Sequence, residues 1–110
     1  MDTIISGLKT IDRVFYSLPP KDRVEVFSIG AAFHRLDLEK RLTQAMDKVQ
    51  AFEARYHTTI SQLEADGLPD DADYTMHEDH IEWHYWSRVL KQTRKAMNAL
   101  VAISPILEPA

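Results

Sequence analysis

From Pro20 to Tyr56 the chain carries one apolar stripe with no residue that must end a helix. Val24, Phe27, Ala31, Leu38, Leu42, Ala45, Val49, Phe52 and Tyr56 keep to one helical face, and no segment of the chain alternates as a strand does. Pro20 suits the first turn of such a helix, where its missing N–H costs nothing. A continuous helix of this span is about 55 Å long at ~1.5 Å per residue. A compact domain of this size has a radius of gyration of only about 13 Å. The chain therefore has two ways to fold. Either the helix breaks near Gly30 or around Arg35–Asp37, or the molecule is elongated and pairs with a second copy.

The rest of the chain is also helical in pattern. Ile4, Leu8, Ile11, Phe15 and Leu18 define a first helix, with Asp2 or Thr3 as its cap and Pro19-Pro20 as its stop. Thr58–Gly67 reads as a short helix, in which Thr59 and Gln62 have capping-box spacing and Gly67 the C-terminal position. Residues 68–73 read as a loop. A last long helix is expected from about Thr75 to Ile103, ending at Ser104-Pro105. Its Met76, Trp83, Leu90 and Met97 recur every seventh residue, with Trp86 and Leu100 three places behind. Asp79 and Thr93 interrupt this coiled-coil-like seam. The expected fold is all-α: an antiparallel hairpin of two long helices, a short connecting helix, and an N-terminal helix packed across it. Residues 1–103 form a single helical domain in this reading and 104–110 a short C-terminal tail.

Composition excludes several classes of function. There are no cysteines among the 110 residues, so a disulfide scaffold, a thiolate metal site and a thiol nucleophile are ruled out. Apolar residues make up 45%, enough for a real core. The first residues lack the basic start and apolar run of a signal peptide, and no stretch approaches the roughly 20 apolar residues that span a bilayer. A cytoplasmic protein without a membrane association is expected. The net charge of −4 argues against direct nucleic-acid binding. There is no nucleophile elbow, P-loop or dinucleotide fingerprint, so neither an enzyme nor a cofactor is expected.

The charge is unevenly placed. Residues 1–56 carry +1 and residues 87–110 carry +3, whereas residues 57–86 hold eight Asp or Glu and no Lys or Arg. Two readings compete. The acids favour the N-terminal end of the last helix and Arg88, Lys91, Arg94 and Lys95 its C-terminal end, as the helix dipole requires. Alternatively the block is an electrostatic footprint for a basic partner. On the second reading Asp70, Asp71, Asp73, Tyr74, Glu78, Glu82 and Tyr85 are the partner-binding residues. Tyr85 points off the seam, whereas Trp83 and Trp86 belong to the core. The histidines His77, His80 and His84 share a helical face. Only His80 and His84, four apart, have a spacing at which two imidazoles share a metal ion, and a full site needs further ligands from elsewhere. No metal is assigned to them.

Phe52-Glu53 followed by Tyr56, then Leu68-Pro69-Asp70-Asp71 with Tyr74, then Glu82-Trp83 with Trp86, resemble a group of small helical proteins. These are found in cyanobacteria and archaea, encoded beside a small toxin-like protein, and the helical member is taken to be the antitoxin. The resemblance spans roughly residues 45–100. It implies a non-catalytic protein that neutralises a basic toxin, many such toxins being ribonucleases with basic RNA-binding surfaces. No helix-turn-helix with a basic recognition face is evident, so DNA binding is not expected. The residues alone also leave open a self-associating structural protein, a homo-oligomer joined through the long seam, or a helical metal-binding protein using His80 and His84.

Overall fold

The structure is a computed structural model in which the backbone of residues 2–107 and the side chains of residues 4–103 are described. The described residues form four helices: α1 (Asp2–Ser17), α2 (Pro20–Tyr56), α3 (Ile60–Asp66) and α4 (Tyr74–Leu107). No strand occurs among the described residues. The fold is all-α, as the periodicity predicts, and α2 and α4 pack along each other as an antiparallel hairpin. Facing pairs are Arg55 with Asp79, Phe52 with Trp83 and Lys48 with Trp86.

The helix from Pro20 to Tyr56 is continuous and does not break at Gly30 or at Arg35–Asp37. A single glycine inside a helix costs only about 1 kcal/mol, which the flanking turns absorb. The start follows the proline logic, with Pro20 in the first turn and the Arg23 N–H donating to the Pro19 carbonyl at 3.0 Å. The far end has a stop that the sequence did not announce. His57 adopts the left-handed conformation (φ 54°, ψ 36°), and its N–H donates to the Glu53 carbonyl at 2.8 Å. Glycine is the usual residue there, and a histidine accepts some strain to occupy it.

At α3 the Thr59 hydroxyl accepts the Gln62 N–H at 3.2 Å. The Gln62 side chain turns forward to Asp66 instead of back to Thr59, so half of the capping box forms. Gly67, at φ 79°, closes the helix by donating its N–H to Leu63. Asp73 then caps α4, its carboxylate accepting the Met76 N–H at 2.8 Å. The described backbone of α4 stays helical to Leu107, past the expected end at Ile103. Pro105 removes one ladder bond near the end of the helix but leaves the preceding turns intact. Residues 108–110 of the expected tail lie outside the described residues.

The core is small and concentrated at one end of the hairpin. Phe52, Leu63 and Trp83 are buried together, with Tyr56, Ile60, Leu68, Met76 and Trp86 packed on them. Trp83 is fully buried, its ring stacked between Phe52 (5.7 Å, 19°) and Tyr56 (5.8 Å, 17°), one helical turn apart on α2. Leu38, Ala45 and Val49 extend the buried line along α2, and Leu38 lines a groove with Thr93 and Ala96 of α4. The polar interruptions of the seam, Asp79 and Thr93, are among its most buried residues.

One expectation is corrected. The N-terminal helix does not pack across the hairpin: Ile4, Leu8 and Ile11 are exposed, and only Phe15 and Leu18 are half-buried. The α2–α4 seam is filled by the two long helices themselves, which leaves α1 no apolar surface there. The molecule is accordingly long and flat, 63 × 40 × 20 Å, with a radius of gyration of 19.9 Å.

The acidic end of the hairpin as a candidate binding surface

All eight carboxylates of residues 57–86 gather where α2 ends, α3 crosses and α4 begins. Asp79 is the exception among them, being buried in the seam. It accepts from the Arg55 guanidinium at 2.6 Å and from the Tyr56 hydroxyl at 2.5 Å, both on the same carboxylate oxygen. The Tyr56 hydrogen bond, assisted by that of Arg55 and its charge, holds the Asp79 carboxyl below the usual range despite burial. The same bond raises the Tyr56 phenol, with burial adding to it, and the Arg55 guanidinium is raised by its bond to Asp79. This three-residue clip neutralises the one acid that faces inward and ties the end of α2 to α4. The sequence placed Arg55 near the acidic start of the last helix. It did not assign Asp79 its role, because a carboxylate in a seam reads as a flaw until its partners are known.

The other seven, Glu64, Asp66, Asp70, Asp71, Asp73, Glu78 and Glu82, are exposed. Helix-dipole complementarity accounts for Asp73, which caps α4. Its effect falls off within a turn, and the first turn inside α4 holds no acid. Glu78 and Glu82 stand one and two turns further in. Arg88 to Lys95 lie mid-helix, since α4 continues to Leu107.

Each of the expected partner-binding residues is on this end. Asp70 and Asp71 are exposed in the loop, and Asp73 is exposed but engaged as a cap. Tyr74 is 78% exposed. At 100° per residue Tyr74, Glu78, Ile81, Glu82 and Tyr85 fall within an arc of about 100° on α4, opposite the buried Trp83. Ile81, 67% exposed, belongs to this strip and was missed among the acids and histidines around it. Tyr85 is half-exposed, its ring edge-on to Trp86 at 5.2 Å. The strip alternates apolar or aromatic side chains with carboxylates on a helix held rigid from behind by the Trp83 stack.

Comparison with known proteins finds no matching family model, no matching curated protein and no matching solved structure. What the surface can do therefore rests on its own chemistry. Among the described residues no three His, Cys, Asp or Glu side chains converge as metal ligands do. His84 instead meets Glu64 across α3 and α4, with Nδ1 2.7 Å from the carboxylate. Among the described residues no helix is long and apolar enough to cross a membrane.

Proposed function

We propose that this chain is a non-catalytic binding protein that neutralises a small basic protein, in the manner of an antitoxin, through the acidic end of the hairpin. The observation that carries this reading is the exposed Tyr74–Ile81–Tyr85 strip, set among seven outward carboxylates in a stretch with no lysine or arginine. Aromatic and apolar anchors supply desolvated contact area, while the carboxylates steer a cationic surface onto it and reject anionic ones. The resemblance of residues 45–100 to antitoxin-like proteins agrees with that chemistry. The proposal extends to a cytoplasmic setting and to a homo-oligomeric state.

A tagged chain used as bait in its native lysate, at low and at high salt, tests the reading. Recovery of one small basic protein, lost at high salt and lost with Glu78→Lys/Glu82→Lys, supports it. Glu78 and Glu82 are chosen because neither has a role in the fold, whereas Asp73 caps α4. Equal capture by the wild type and by the charge-reversed chain sinks it.

A further inference from the structure

The opposite end of the molecule has a different problem, which is apolar surface with nothing over it. On α1, Ile4, Leu8, Ile11 and Phe15 step by four, three and four residues along one face, and the first three are 58–70% exposed. On α2, Val26, Ile29, Phe33 and Leu36 step by three, four and three along the face turned away from the Leu38 seam, and are 53–70% exposed. Both are heptad seams, the pattern by which one helix packs into another. α4 packs on the Leu38 side of α2 and leaves this outward face open.

We infer that the α1 face and the outer face of the first half of α2 form the contact between two copies of this chain, related by a two-fold axis. Two observations point to a second copy. The first is area. A folded monomer of 12.7 kDa exposes about 6,200 Å² by size scaling, whereas this chain exposes 8725 Å². The surplus is roughly 2,500 Å² per chain, which for two chains is the scale of an obligate homodimer interface. The second is charge. Residues 1–36 hold five Lys or Arg and four Asp or Glu, so this end meets its own copy without repulsion. The acidic end cannot, because two −8 blocks repel. A dimer built this way joins the near-neutral arms and leaves an acidic end free on each chain.

Sedimentation of this chain, with hydrogen exchange at low and high protein concentration, tests this. The expected result is a species of twice the 12.7 kDa chain mass. Amides of α1 and of residues 20–36 should gain protection as concentration rises, while those of 57–86 stay unchanged. Ile11→Glu and Phe33→Glu, both at exposed positions, should each halve the sedimenting mass with helicity retained. A chain that sediments as a monomer throughout overturns the inference. So does protection of α1 that is independent of concentration, which is the sign of α1 folding back on its own α2. A dimer that survives both substitutions overturns it as well.

Discussion

At the scale of single residues, Asp79, Tyr56 and Arg55 decide how the acidic end responds to pH. The folded-state pKa of Asp79 is depressed, so its contribution to stability is complete above the ordinary carboxyl value of 3.8. It is lost as pH falls through the lower folded value. The folded-state pKa of Tyr56 is raised, so its contribution is complete below the ordinary 10.0. That part is lost as pH rises through the higher folded value. Denaturant titrations should therefore show an acid limb that Asp79→Asn flattens and an alkaline limb that Tyr56→Phe flattens. At neutral pH Tyr56→Phe should lower stability by about 1.5 kcal/mol, the scale of a hydrogen bond to a charged group. Trp83→Ala should cost about 3–5 kcal/mol, since it empties the fully buried centre of an aromatic stack. The sequence identified Trp83 as core from its seven-residue spacing. It could not identify the clip, because burial of one carboxylate is intelligible only with both donors in place.

At the scale of elements, local rules account for most boundaries. Pro20, Thr59 and Gly67 act where the chain chemistry places them. The exception is the end of α2, where His57 holds a left-handed backbone normally given to glycine. His57→Gly should raise stability by up to about 1 kcal/mol by relieving that conformation, read as a shift in the unfolding midpoint. Continuity of α2 through Gly30 was not legible in the sequence. A lone glycine permits a break or a run-through, since it costs a helix only about 1 kcal/mol, and nothing in its neighbours' residue types chooses between the two. The expected placement of α1 across the hairpin failed for a related reason. Its stripe states that α1 needs an apolar partner but not which one, and the seam it was assigned to is already filled by Leu38, Phe52, Trp83 and their neighbours.

At the scale of the whole molecule, a near-neutral apolar arm and an acidic end stand about 60 Å apart at most, the long dimension being 63 Å. A polarity of this kind lets one end associate while the other remains open to a cationic surface. The seven exposed carboxylates were legible as a charge block from composition along the chain. Their union with Tyr74, Ile81 and Tyr85 on one helical strip required the seam to fix which face of α4 turns outward. Because steering by exposed charges is screened within about 8 Å at physiological ionic strength, binding through this end should weaken as salt rises. The direct test is the affinity of the captured basic partner for three purified chains: wild type, Glu78→Lys/Glu82→Lys, and Ile11→Glu. A loss of at least about tenfold, or about 1.4 kcal/mol, confined to the reversed acidic end is the expected result. Unchanged binding by that variant, with loss in Ile11→Glu, would contradict the account and move the partner to the apolar arm.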